Sequence, residues 1–66
     1  MTLFEAIAII EGMTGYQDKT ETEHLKAWAY LIKSGKVWEL QGTYSRFAAR
    51  LITEGIISKQ GDILNP

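Results

Sequence analysis

Residues 29–37 read AYLIKSGKV and residues 49–57 read ARLITEGII, with alanine, Leu-Ile, glycine and a β-branched residue at matching positions. In each stretch a helix is expected to end on the two large apolar residues, because the glycine that follows can take the left-handed conformation that stops a helix. The apolar residue two positions further on, Val37 or Ile57, is then expected to fold back over the last turn. Two copies are too few for a stacked repeat, so the pattern indicates one kind of helix ending used twice.

The starts of the first two helices are marked by the sequence Thr-x-x-Glu, which begins at Thr2 and again at Thr20. This is the spacing of a capping box, in which the threonine hydroxyl and the glutamate carboxylate satisfy free amides at a helix start. It predicts helices over residues 1–12 and 20–34. After a short helical turn over residues 37–41, Thr43 is expected to cap a last helix.

Apolar residues spaced three and four apart give each helix a face that is expected to be buried. For the first helix, these residues are Leu3, Ala6, Ile7 and Ile10. For the second, they are Leu25, Trp28, Ala29 and Ile32, and for the last, Tyr44, Phe47, Ala48, Leu51 and Ile52.

The fold class that follows is all-α, a small bundle of three to four short helices forming a single domain over residues 1–66. Residues 58–66 are rich in turn-forming residues. They are expected to be either a mobile tail or part of a short hairpin, in which Ile56 and Ile57 pair with Ile63 and Leu64.

The composition argues against several classes of protein. The chain has 66 residues, a net charge of −1, no cysteine and a single histidine, His24. Disulfides and thiolate metal sites are therefore excluded, and a histidine-rich metal site is not expected. The balanced charge gives no general attraction to nucleic acid. No apolar run approaches the roughly 20 residues of a membrane span, and no basic segment precedes the N-terminal apolar stretch, so we expect a cytoplasmic protein.

No pattern of catalytic residues stands out. Asp18, Glu21 and Glu23 cluster, but at a loop and a helix start, where carboxylates are expected for capping and for the helix dipole. No serine has a motif that links it to His24, and no phosphate-binding glycine motif occurs. We therefore predict that the protein is not an enzyme and expect no cofactor and no metal.

The first helix carries more apolar residues than one buried face requires. Phe4, Ala8 and Ile9 lie outside its predicted core face, and only two residues between positions 3 and 12 are polar. A helix that is apolar nearly all round is buried on more than one side. Two interpretations follow. Either Phe4 and Ile9 bind a partner or a second copy, or the helix is simply central in the packing.

Arg46 and Arg50 are four residues apart and share one exposed face of the last helix. The sequence favours a solvated face, on which Arg50 pairs with Glu54. The alternative is a contact with an anion or a partner, to which Tyr44 adds polar specificity, because arginine is enriched at interface hot spots.

Residues 27–57 read A-W-x-x-L-I-x-S-G-x-V-W-x-L-Q-G-x-Y-x-R-x-A-x-x-L-I-x-x-G-x-I. This pattern resembles a group of small uncharacterised proteins from tailed bacteriophages, and it covers about half the chain. Two positions depart from the group: Thr43 replaces the first of an aromatic pair, and Ser45 replaces a glycine before the arginine. The resemblance implies a phage origin and expression in the cytoplasm of a bacterial host, and it implies no activity. The matching residues are Ala27, Trp28, Leu31, Ile32, Gly35, Trp38, Leu40, Gln41, Gly42, Tyr44, Arg46, Ala48, Leu51, Ile52 and Gly55.

A second, shorter pattern is similar to the helix-turn-helix of excisionase-like and MerR-like DNA binders. Residues 39–46, ELQGTYSR, and residues 52–57, ITEGII, match the E-L-x-G that precedes their recognition helix and the E-G-x-I that ends it. Three features argue against DNA binding. Thr43 stands at a normally apolar position, a slightly acidic chain lacks attraction to phosphate, and the arginines do not extend into a basic patch. The residues that the resemblance would place in the major groove are Ser45, Arg46, Ala49 and Arg50, with Lys59 in the wing.

The sequence thus favours a phage-encoded accessory protein that acts stoichiometrically by binding a protein. The partner would be a host factor or further copies of the same chain, so a homo-oligomer is one expected outcome. Host takeover, inhibition of host defence and a minor structural role fit equally well. The alternative is a small helix-turn-helix DNA-binding protein, and no membrane partner is expected. The predicted binding residues are Phe4, Ile9, Tyr44, Arg46 and Arg50.

The DNA-binding alternative can be tested by one titration. If it holds, the protein binds duplex DNA at low salt and loses affinity steeply as salt rises, because basic side chains release counterions from the phosphates. Replacing Arg46 and Arg50 together by alanine should abolish this binding, measured by fluorescence anisotropy of a labelled duplex. No binding at low salt would rule out the alternative.

Overall fold

The chain folds into three α-helices and one short 3-10 helix in a computed structural model that describes residues 1–64. Among these residues there is no β-strand, and an isolated antiparallel bridge joins Ile57 to Ile63. The predicted all-α class is confirmed, as is the small bundle of three to four short helices. The elements are α1 (Leu3–Glu11), α2 (Glu21–Ser34), the 3-10 helix (Lys36–Glu39) and α3 (Gly42–Thr53).

Threonine side chains cap the first two helices, as the sequence predicted. Thr2 Oγ1 accepts a hydrogen bond from the Glu5 N–H at 3.1 Å. Thr20 Oγ1 accepts one from the Glu23 N–H at 3.2 Å, and the Thr20 N–H donates to the Glu23 carboxylate at 3.2 Å. The second arrangement is a complete capping box, which satisfies the Thr20 and Glu23 amides at the start of α2.

The start of α3 differs from the prediction. Thr43 is not the cap, because the helix already includes Gly42 and the residue that precedes it is Gln41. The physical reason is the backbone of Gln41, which lies between the 3-10 helix and α3. Gln41 is itself not helical, but its carbonyl oxygen already accepts a hydrogen bond from the Tyr44 N–H at 2.9 Å. The first helical turn therefore encloses Thr43.

Glycines in the left-handed conformation follow the helices, as predicted. Gly12 follows α1 with φ 66°, Gly35 follows α2 with φ 78°, and Gly55 lies just beyond α3 with φ 74°. At α3, the Gly55 N–H donates to the Ile52 carbonyl oxygen at 3.0 Å, which closes the last turn. Each glycine reverses the chain direction without the steric cost that a Cβ would bring.

The residues beyond two of these glycines form the centre of the core. Val37 and Ile57 are both 0% exposed, and with Leu31 they are the largest fully buried side chains. Both residues are therefore core residues, as their predicted return towards the preceding helix requires. The other buried members of the core cluster are Ala6, Ile9, Ala27, Trp28, Ile32, Ala48 and Leu51.

The C-terminal segment forms a turn that lies on α2. The Ser58 N–H donates to the Asp62 carbonyl oxygen at 2.8 Å, and Lys33 Nζ of α2 lies 3.6 Å from Asp62 Oδ1. The predicted hairpin is present as a turn with the single bridge of Ile57 and Ile63, without paired strands. Residues 65 and 66 of the predicted tail lie outside the described residues.

Gly61 lies directly against α2, where no side chain would fit. A Cβ at Gly61 would lie 2.7 Å from Lys33 Cβ and 2.9 Å from the Ala29 carbonyl oxygen. Real Cβ atoms do not come this close to backbone, so only glycine lets the turn rest on the helix.

Alanine substitutions at two glycines should distinguish the destabilisation caused by this close contact from that caused by backbone strain. Gly15 has φ 91°, close to the 93° of Gly61, but open space around it. We expect Gly15→Ala to destabilise by about 1–2 kcal/mol through its backbone alone. Gly61→Ala should cost about 1–3 kcal/mol more, because it also overpacks the contact with α2. Urea unfolding followed by far-UV circular dichroism measures both, and equal losses would contradict the contact.

Candidate protein-binding groove

An open groove of about 750 Å³ lies between the first half of α2 and the second half of α3. Its floor and walls are mainly apolar, and the polar residues come from the first turn of α2. Concave, mostly apolar surfaces of this volume with a few polar groups are the usual form of a binding site. The lining residues are Glu21, Thr22, His24, Leu25, Trp28, Phe47, Leu51 and Ile56.

Trp28 fixes the spacing of the two helices at one end of the groove. Its ring centroid lies 4.7 Å from that of Phe47 and 5.6 Å from that of Tyr44, with the rings tilted by 48° and 44°. Tilted rings at these distances attract each other beyond simple area burial. Trp28 is buried by this packing, whereas Phe47 stays 43% exposed. Phe47 therefore presents an aromatic surface to the groove and to solvent.

Tyr44 connects the start of α3 to the end of α1. Its phenol hydroxyl donates a hydrogen bond to the Glu11 carboxylate. Burial of the ring, and then the hydrogen bond to Glu11 and its negative charge, raise the pKa of Tyr44 from 10.0 to about 12. Although Tyr44 was predicted to bind a partner, its ring and its hydroxyl are already engaged within the chain.

The two arginines do not converge. Arg50 Nε donates to Glu54 Oε2 at 2.8 Å, which is the pairing that the sequence favoured. Arg46 folds towards the start of α3, where its guanidinium NH1 atom lies 3.1 Å from the position of a Cβ at Gly42. Since each guanidinium extends towards a different end of α3, they do not form a joint anion site, and neither residue lines the groove.

Phe4 and Ile9 are separated by the packing of α1. Phe4 is 61% exposed, but Ile9 is only 4% exposed and belongs to the core cluster. Ile9 was predicted to bind a partner, but the structure places its side chain in the core and not on the surface. The two residues differ by five positions, or roughly 140° around the helix, so both cannot lie on one exposed face. Ala8 is buried as well, which favours the interpretation that α1 is central in the packing.

The groove was not predicted from the sequence. Phe47 was assigned to the buried face of the last helix, and Leu25 to that of α2, because both fit a helical stripe. One feature of the sequence could have indicated that Phe47 is exposed: it lies at the edge of the apolar stripe and follows Arg46 in the chain. A wide stripe leaves its edge residues uncovered when only one neighbouring helix packs on it.

Within residues 1–64, no group of three or more His, Cys, Asp or Glu side chains is arranged to hold a metal ion. None of the helices in this part of the chain is both long enough and apolar enough to span a bilayer.

The chain belongs to the family described as domain of unknown function DUF7417, whose model matches residues 3–66. Comparison with curated proteins and with solved structures finds no match. The family match includes all the helices and every residue that lines the groove.

Alkaline unfolding should reveal the environment of Tyr44. Because the folded pKa of Tyr44 is about 12 and its ordinary value is 10.0, the unfolded chain loses the phenol proton first. The stability contributed by Tyr44 is complete below pH 10 and is lost as the pH rises towards 12. Tyr44→Phe should be about 1 kcal/mol less stable than wild type at neutral pH, because it lacks the hydrogen bond to Glu11. Between pH 10 and 12 it should lose less stability than wild type, because it has no phenol to ionise at this position.

The control is Glu11→Gln, which keeps an acceptor for Tyr44 and removes the negative charge. Its alkaline loss should lie between those of wild type and Tyr44→Phe. Urea unfolding at a series of pH values measures all three, and a Tyr44→Phe profile parallel to wild type would contradict the raised pKa.

Proposed function

We propose that this DUF7417 protein acts stoichiometrically by binding another protein through the groove between α2 and α3. The observation that carries the proposal is Phe47, which remains 43% exposed beside an apolar floor. An exposed aromatic next to a concave apolar surface with a polar rim is typical of protein-binding sites. The proposal keeps the binding function inferred from the sequence and moves its surface from α1 to the groove.

The energy available at Phe47 is that of an interface hot spot. Covering the exposed part of a phenylalanine removes on the order of 80 Å² of apolar surface from water, which contributes about 2 kcal/mol. Trp28 holds the ring in place, so little side-chain freedom is lost on binding. The floor residues Leu25, Leu51 and Ile56 would add to this when a partner excludes water.

The resemblance to phage proteins gives the proposal its setting. In the cytoplasm of a bacterial host, a small accessory protein would bind a host factor or a second copy of itself and alter the partner by occupying it. Takeover of a host process and inhibition of a host defence are both consistent with this mode of action. Phe4, although exposed, does not line the groove and is a secondary candidate for contact.

The helix-turn-helix alternative gains less support from the geometry. The element before α3 is a 3-10 helix of 4 residues rather than a full helix. Arg46 and Arg50 extend towards opposite ends of α3, and Arg50 is paired with Glu54. We therefore take a protein, rather than DNA, as the partner.

A pull-down with matched variants tests the proposal. Tagged protein is incubated with nuclease-treated bacterial lysate, and bound proteins are quantified by mass spectrometry. Phe47→Gln removes the exposed ring, and Thr22→Arg places a large charge at the groove edge without disturbing the core. Trp38→Gln is the control, because Trp38 is 49% exposed but lies outside the groove.

We expect one protein to be enriched by wild type and by Trp38→Gln, and to fall at least tenfold with Phe47→Gln and with Thr22→Arg. Light scattering tests for self-association. If it shows a defined oligomer and Thr22→Arg dissociates that oligomer, the partner is a second copy of the chain. A monomer that enriches nothing, or enrichment that both groove variants retain, would contradict the proposal.

A further inference from the structure

We infer that the groove receives a short amphipathic helix of the partner, with apolar side chains on Phe47 and a lysine or arginine facing Glu21. This inference rests on the proposed function and specifies the chemistry of the partner. Three features support it: the shape of the walls, the bonding state of their backbone, and the charge at the rim.

The shape of the groove matches a helix of about two turns. On α2 the lining residues Glu21, Leu25 and Trp28 follow the i, i+4, i+7 spacing of one helical stripe. Seven residues of helix correspond to roughly 10 Å, or about two turns. On α3, Phe47 and Leu51 are spaced i, i+4 and form the opposite wall. A groove walled by the side-chain ridges of two helices is a surface into which a third helix can pack.

The walls offer side chains but few free backbone groups. Both are α-helices, and beyond the first turn of α2 their amides are bonded within the helix. In that first turn the capping box satisfies the Glu23 N–H. An extended peptide in such a groove would bury its own N–H and C=O groups without partners. A helix brings its backbone hydrogen bonds with it, so it can enter an apolar groove at low cost.

The charge at the rim of the groove indicates which charge the partner helix carries at its polar edge. Glu21 is the one lining residue with a formal charge when His24 is neutral, and no lysine or arginine lines the groove. Within residues 1–64, Glu21 takes part in no salt bridge or side-chain hydrogen bond. Its neighbour Glu23, by contrast, lies 3.5 Å from Lys19 Nζ. A carboxylate without a cationic side-chain partner among these residues, at the edge of an apolar groove, favours a partner with a cation at the same edge.

Peptide titration followed by the fluorescence of Trp28 tests the inference. Trp38→Phe leaves Trp28, on the groove floor, as the sole tryptophan. The probes are helical peptides with leucine, phenylalanine or methionine anchors, each prepared with lysine, glutamine or glutamate at the polar edge. We expect the lysine peptides to bind about 2- to 5-fold tighter than the glutamine peptides, as is usual for an exposed ion pair, and the glutamate peptides to bind weakest. The preference should shrink as salt rises.

Charge reversal supplies the matched comparison. Glu21→Lys should invert the ranking, so that the glutamate peptides bind tightest. Glu39→Lys changes the net charge by the same amount on the 3-10 helix, outside the groove, and should leave the ranking unchanged. Inversion by both variants would mean that net charge decides the ranking, and would overturn the assignment to Glu21.

The remaining outcomes separate the inference from the proposed function. Equal binding of all peptides would overturn the basic partner and leave groove binding intact. If no peptide binds but the pull-down still yields a groove-dependent protein, the helical partner is wrong and the proposed function stands. If no peptide binds and Thr22→Arg dissociates an oligomer, the groove belongs to a second copy and the inference is overturned. If neither peptides nor proteins depend on the groove, both proposals fail.

Discussion

The burial of Val37 and Ile57 beyond left-handed glycines is the constraint on which the rest of the molecule depends. A chain of 66 residues without cysteine has little apolar surface to bury and no covalent cross-link to support it. By turning back at Gly35 and Gly55, the chain uses the residue two positions beyond each glycine as a core residue. The same reversals lead into the 3-10 helix and into the C-terminal turn, where Gly61 rests on α2.

The groove is a consequence of this arrangement rather than an addition to it. Trp28 belongs to the core and also forms part of the groove floor, so the packing that stabilises the fold sets the distance between α2 and α3. Tyr44 holds the start of α3 against Trp28 and Glu11. A binding surface built on packed helices loses little conformational entropy when a partner is bound, which suits a protein that acts by occupying its target.

The polar residues divide into those that serve the fold and those left free for recognition. Glu23, Asp62 and Glu54 each pair with a lysine or arginine of the same chain. Such exposed pairs contribute little individually, but they fix which charges remain uncompensated. At the groove, the remaining charge is the carboxylate of Glu21, and its apolar surroundings are Leu25 and Phe47. Recognition would thus combine one aromatic contact with one charge of defined sign.

The sequence alone determined the start of α2 and the ends of α2 and α3, since the box at Thr20 and the stops at Gly35 and Gly55 rest on contacts between residues close in the chain. The start of α3, which has no side-chain cap, was the exception. The sequence determined the all-α class for the same reason. Only the tertiary structure decided which side of an apolar helix is covered, because that depends on elements distant in the chain. Ile9 is therefore buried where an exposed residue was predicted, and Phe47 is exposed where a buried one was predicted. The groove follows from that second difference, because its surface exists only once α2 and α3 have packed.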